Sequence, residues 1–262
     1  MIKYEDNKRN HVIIPGREKE LELFLNSTYK GANHKLKNSF SSNSEDAITW
    51  SCFDIISQLP ISEKINALNE IIEHSFIENN LTDKVPFTFE NEKEIKIEIG
   101  KTYCGNTIKE ETEVDASIET AGKVIFFEAK LYSSVSLQDK EKPYDQIAKK
   151  LRVGLDYSSK LKKEYFFIFL DIAPRDKLYE FTDEKKSKEN AMKHPSKKWK
   201  SVWWFNRYKN GWKGSLKPLK LALTGIDTTN QSVESVSKNM GWLTWTDLFK
   251  ITMRGIIKNN FA

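Results

Sequence analysis

Cysteine and histidine are scarce in this chain. Its 262 residues hold two cysteines, Cys52 and Cys104, too few for a disulfide framework and not spaced as a zinc site. Cys52 falls on an apolar helix and Cys104 after a strand with no recognisable base nearby, so both read as inert thiols. The four histidines, His11, His34, His74 and His194, are scattered and form no HEXXH pair. A GxxxxGK[ST] phosphate loop is also missing, which argues against an ATP-driven motor within the chain. Long apolar runs are absent too. The longest is Tyr165 to Leu170, and the first ten residues are MIKYEDNKRN, so neither a secretory signal nor a membrane span is expected. A reducing cytoplasm is the expected location.

Apolar residues make up 39% and aromatics 12%, ample for a packed core and too much for a disordered chain. Residues 1–40 read as an N-terminal arm with a short helix at Glu18 to Leu25, and 41–262 as a single domain. The net charge of +5 conceals an uneven distribution. From Lys185 to Lys217 eleven cations face the single acid Glu189, a net +10 that exceeds the chain total and leaves the remainder at −5. The same segment carries Trp199, Trp203, Trp204, Phe205, Tyr208 and Trp212. Cations interleaved with rings suit phosphate contact and base stacking, here through Lys197, Lys198, Lys200, Trp203, Arg207 and Lys209. The plainer alternative is a solvated lysine-rich loop leading into a core strand whose tryptophans simply pack.

Hydrophobic periodicity gives an α/β order. Ala47, Ile48, Trp50, Phe53, Ile55, Ile56 and Leu59 recur at helical spacing between Ser44 and Pro60. A second helix follows from Ser62 as N-cap, with Ile65, Leu68, Ile72 and Phe76 on one face. Ile95, Ile97 and Ile99 alternate with charged residues and predict a strand ending at Gly100. Glu113 to Glu119 predicts a second strand. The run Val124 to Lys130 predicts a third, buried on both faces. Tyr144, Ile147, Ala148, Leu151 and Leu155 mark a helix, with Pro143 near its start. Tyr165 to Leu170 is a buried strand, and Leu219 to Leu223 is read as a further one. Thr244 or Thr246 would cap a last helix whose core residues are Leu248, Phe249, Met253 and Ile256. A mixed central sheet flanked by helices follows.

Polar groups interrupt the apolar strands at one place. Asp115 lies on the second predicted strand, and Glu128 and Lys130 end the third, two apart and on the same face. Acid-x-Lys alone carries no weight, because it recurs at Asp6/Lys8, Glu94/Lys96, Asp183/Lys185 and Glu184/Lys186. What distinguishes Glu128-Ala129-Lys130 is the apolar run before it and the Asp on the preceding strand. Two readings stay open: a buried structural ion pair, or two carboxylates holding a hard divalent cation beside an ammonium suited to phosphate-ester hydrolysis.

The segment Glu113-Val114-Asp115-Ala116-Ser117-Ile118, a short turn and Val124 to Lys130 resembles the signature of the PD-(D/E)XK nuclease superfamily, with Val114 where the family name has Pro. Its restriction-endonuclease-like core has a helix, three strands, a helix and a strand in this order. Ser44 to Trp50 resembles the opening helix of bacterial members, Gln146 a Gln that some subfamilies place beside the Lys, and Met240 to Trp245 a late segment of the same group. The resemblance implies a Mg²⁺-dependent nuclease, with Mn²⁺ as substitute, acting on nucleic acid and DNA in the first instance. It implies Asp115, Glu128 and the Ala129 carbonyl as metal ligands, Glu45 as a helper at the metal, Lys130 as the group positioning the attacking water, and Gln146 as an accessory. The competing readings are a non-catalytic nucleic-acid-binding module of the same fold and a protein-interaction domain presenting Trp203, Trp204 and Trp212. A homodimer is left open.

Overall fold

The computed structural model describes residues 13–28, 35, 44–77, 84–137, 140, 143–173, 198–211 and 215–259, with the side chains of 198–200 outside the description. In chain order the helices are α1 (Glu18–Asn26), α2 (Glu45–Gln58), α3 (Ile61–Phe76), α4 (Gln146–Lys160), α5 (Lys198–Lys209), α6 (Lys217–Ala222), α7 (Val233–Lys238) and α8 (Trp245–Asn259). The strands are β1 (Lys96–Ile99), β2 (Thr102–Cys104), β3 (Glu111–Glu113), β4 (Ala116–Glu119), β5 (Lys123–Lys130), β6 (Glu164–Asp171) and β7 (Met240–Thr244).

Five strands form one mixed sheet in the order β1-β4-β5-β6-β7, while β2 and β3 pair separately. The β1–β4 and β4–β5 pairings are antiparallel, and β5–β6 and β6–β7 are parallel. The central strands are apolar on both sides because both sides are covered. Val124, Phe126, Tyr165, Phe167 and Phe169 face α4 and α5. The alternate residues Ile125, Phe127, Phe166, Ile168 and Leu170 face α2, α3 and α8. This two-residue alternation turns the end of β5 into a divided surface: Glu128 and Lys130 continue the Val124–Phe126 side, and Ala129 the other.

Local chemistry sets the element ends. Ser44 Oγ accepts from Ala47 N at 3.4 Å to start α2, and Asp145 accepts from Ala148 N at 2.9 Å to start α4. Gly100 takes φ +65° at the exit of β1, a conformation open to glycine without a Cβ clash. Gly154 matters for a different reason. A Cβ there would meet the Tyr165 ring 2.2 Å away, so its absence lets α4 lie close on β6.

Four expectations are corrected. Glu113 to Glu119 is not one strand: the ladder breaks at Val114 and Asp115, where Val114 N turns to Lys101 O at 2.9 Å and Gly100 N to Asp115 O at 3.1 Å. Leu219 to Leu223 is not a strand, because Pro218 opens the short helix α6 and Leu219 and Ala222, three apart, are its buried residues. The helix expected from a Ser62 cap begins two residues earlier, at Ile61, with Pro60 in the N-cap position. In α8, capped by Thr244 Oγ accepting from Asp247 N at 3.2 Å, the buried face is Leu248, Ile251, Thr252 and Gly255. Phe249 and Met253 are exposed.

From the 1–40 segment, α1 buries Leu21 and Leu25 against Ala47 and Trp50 of α2, and Arg17 forks onto Asp54 with bonds of 3.1 and 2.5 Å. Lys35 is buried, its ammonium 2.7 Å from Glu113. Among the described residues no helix is long and apolar enough to cross a membrane.

Candidate metal and catalytic site

The break between β3 and β4 creates the site. Strand β4 pairs with β5 only as far as Ala116 opposite Phe127, so the next groups along that edge of β5 need other partners. Asp115 supplies one, its Oδ2 accepting from Ala129 N at 2.6 Å. The N–H and C=O of a strand residue point to the same edge, so the Ala129 carbonyl faces Asp115's side as well.

Glu128 has no exposed surface, and an ammonium sits on each of its oxygens: Lys130 Nζ 2.9 Å from Oε1, and Lys150 Nζ against Oε2. Lys150 also donates to Glu113 O at 2.6 Å, tying α4 to the end of β3. Burial alone would raise the Glu128 carboxyl, but Lys130 and Lys150 outweigh it and hold it below its ordinary range. Burial likewise opposes charge on both lysines, and Glu128 foremost overrules it, so both ammoniums are held above theirs. Asp115 goes the other way. Burial first, then repulsion by Glu128, pushes its carboxyl well above the usual carboxylate range.

Glu45, the first residue of α2, reaches the same place from the far face. Its Oε1 lies 3.5 Å from Lys130 Nζ, its Oε2 accepts from Leu131 N at 3.0 Å, and Ser133 Oγ donates to it at 2.8 Å. Trp245 Nε1 donates to Lys130 O at 3.1 Å and fixes the strand end. The fold thus gathers Glu45, Asp115, Glu128, Ala129 and Lys130. Gln146 engages Ser136 instead, its Oε1 accepting from Ser136 N at 3.1 Å, and no described hydrogen bond joins it to Lys130.

Two neighbours escaped the sequence reading. Lys150 occupies a position within the apolar stripe Ile147–Leu151–Gly154, and a lysine at such a position is the signal that could have exposed it. Asp171 ends the apolar run of β6 directly opposite Lys130. Its Oδ1 accepts from Ala173 N at 2.7 Å, and burial raises its carboxyl to about 7.

The basic aromatic segment divides differently from expectation. Residues 185–197, Lys197 among them, lie outside the described residues, as do 212–214. Lys198 and Lys200 are described as backbone in α5 only. Trp203 and Lys209 are corrected as nucleic-acid contacts, because α5 turns its aromatic face inward. Trp203 packs in the core with Phe205 and Tyr208, and the buried Lys209 donates to Lys238 O at 2.9 Å. Arg207 is partly exposed, its guanidinium 5.6 and 5.5 Å from the Trp203 and Trp204 ring centres.

Among the described residues no set of three or more His, Cys, Asp or Glu side chains is gathered to hold a metal ion. The donor set at the end of β5 is two carboxylates and a main-chain carbonyl. It is all oxygen, and burial first, then the charge of Glu128, raises Asp115, an arrangement that a hard divalent cation would relieve. Comparison with protein-family models and with curated proteins finds no match.

Proposed function

We propose that this protein is a Mg²⁺-dependent nuclease of the PD-(D/E)XK, restriction-endonuclease-like type, hydrolysing phosphodiester bonds in DNA. One observation carries the reading: Glu128 and Lys130 share a face at the buried end of β5 while Asp115, from the break before β4, clasps the main chain of Ala129 between them.

Asp115, Glu128 and the Ala129 carbonyl would hold the ion. When bound, Mg²⁺ or Mn²⁺ supplies charge neutralisation at the scissile phosphate and makes a water easier to deprotonate. Lys130 directs a fixed positive charge toward the reacting phosphate, where negative charge grows on the nonbridging oxygens. Glu45, braced by Leu131 N and Ser133, keeps that ammonium aimed away from Glu128 alone. Gln146, through Ser136, braces the connection that follows β5. Backbone grip falls to Lys197, Lys198, Lys200 and Arg207.

A non-catalytic binding module would be expected to lack an acid or the lysine, and all three are present. The interaction-domain reading loses support because Trp203 is buried. The test is incubation with supercoiled plasmid, linear DNA and RNA in Mg²⁺, Mn²⁺ or EDTA. Metal-dependent DNA cleavage is expected, lost in the Lys130→Ala protein with binding largely retained. Unchanged cleavage by that protein overturns the site.

A further inference from the structure

We infer that Lys150 is a resident counter-cation of this site, which holds Glu128 in place without a metal and weakens the site's affinity for a divalent cation. The inference rests on the metal reading above and adds a residue that the nuclease resemblance does not assign.

The two ammoniums on Glu128 are not equivalent. Lys130 lies at the strand end and has a second carboxylate, Glu45, 3.5 Å away, so it can shift between partners. Lys150 has no such latitude. Its side chain is 3% exposed, its ammonium is shared between Glu128 Oε2 and the Glu113 carbonyl, and the Tyr165 hydroxyl donates to its own main-chain oxygen at 3.1 Å. One turn on, Gly154 lets the Tyr165 ring lie against the helix, which fixes how deep α4 sits. An ion held by Asp115 and Glu128 would therefore share Glu128 with a positive charge that cannot withdraw. Like charges a few ångströms apart in a protein interior repel by enough to change affinity by an order of magnitude or more. The same charge stabilises the fold, because Glu128 without it would keep only Lys130. Lys150 is thus a positioning residue that sets how tightly the cation is held, favouring a loosely held ion over a permanently bound one.

The experiment measures Mn²⁺ binding in the absence of nucleic acid, by the electron paramagnetic resonance of free Mn²⁺, together with thermal melts in EDTA and in Mn²⁺. Lys150→Met and Lys150→Gln are expected to bind Mn²⁺ about ten-fold more tightly than the natural protein, to melt lower in EDTA, and to recover when Mn²⁺ is added. Lys150→Arg, which keeps the charge, should retain the natural affinity. Lys150→Gln keeps a donor toward Glu128 and the Glu113 carbonyl, so it separates charge from hydrogen bonding if the Met variant does not fold. Neutral variants that fold only with Mn²⁺ support the inference. Neutral variants that bind Mn²⁺ no more tightly than the natural protein, or that fold in neither condition, overturn it. A natural protein that binds no Mn²⁺ overturns the metal reading itself, a different outcome from failure of the lysine's role alone.

Discussion

Four lysines are almost wholly buried among the described residues, and two of the regions that hold them treat them in opposite ways. At the end of β5, Lys130 and Lys150 face Glu128 and are held above the ordinary ammonium range. At the junction of α5 and α7, Lys209 has the Lys238 carbonyl for a partner, and burial, helped by the Lys238 charge, lowers it to about 7. Burial penalises the charged form in both places, so it does not decide the outcome. A carboxylate partner does. Buried positive charge is kept where acids are gathered, and the region that looked most basic in sequence places one of its cations where charge is given up.

The largest effect is expected from removing that carboxylate. Glu128→Ala leaves two buried ammoniums without their main counter-ion, and breaking a buried pair in this way costs about 3–5 kcal/mol. Urea unfolding at neutral pH should show that loss, together with abolished cleavage. A loss below about 1 kcal/mol would mean that Glu45 and Asp115 replace Glu128, and the contrast with Lys209 would dissolve.

What was legible in the sequence follows the same division. The runs of β5 and β6 were readable because strands covered on both faces must be continuously apolar, and a Glu or Lys ending such a run stands out against it. Asp115, Glu128 and Lys130 stand out for that reason, whereas Glu45, in the first turn of a helix, is marked only by the resemblance of Ser44 to Trp50. Lys150 stands out less, because amphipathic helices carry many lysines and a place within the apolar stripe Ile147–Leu151–Gly154 is a weaker signal than a charged residue ending a buried strand. The sequence leaves the aromatic residues of α5 open to stacking or to plain packing, and Trp203, Phe205 and Tyr208 serve the core, on a helix rather than the expected strand. Their interleaving with cations reflects a helix with one buried side. The break at Val114 and Asp115 was hidden because each half keeps strand-like residues, and only the turn of Val114 N toward Lys101 O reveals it.

A smaller effect, with a defined pH window, is expected at Lys209. In the unfolded chain this amine binds its proton below its ordinary value of 10.5, whereas in the folded protein it does so only below about 7. Between those limits the unfolded state carries more protons, so Lys209 makes stability rise with pH, by at most about 1.4 kcal/mol per unit. Replacing it with Met should remove that rise. Unfolding free energies from pH 7 to 10 would show the variant's advantage largest at pH 7 and shrinking upward. A difference that is flat with pH would place a charged ammonium at Lys209 and break the comparison. Lys130 offers the internal control: its affinity for the proton is raised, so its stabilisation is fully present below 10.5 and contributes no slope across this range.

The smallest effect distinguishes two cations of the same helix. Arg207 is partly exposed beside the Trp204 ring, whereas Lys209, two residues on, is turned inward. If DNA lies along α5, Arg207 neutralises a phosphate and releases a counter-ion while Lys209 does neither. Arg207→Ala should therefore reduce the slope of log affinity against log salt by about one. Lys209→Met should leave that slope unchanged at every pH where the protein folds. Fluorescence anisotropy with a labelled duplex between low and moderate salt measures both. Equal losses from the two variants would mean that the inward turn of Lys209 does not keep it from the polyanion. An unchanged slope for Arg207→Ala would move the DNA track off α5, toward the carboxylate-lysine end of the sheet.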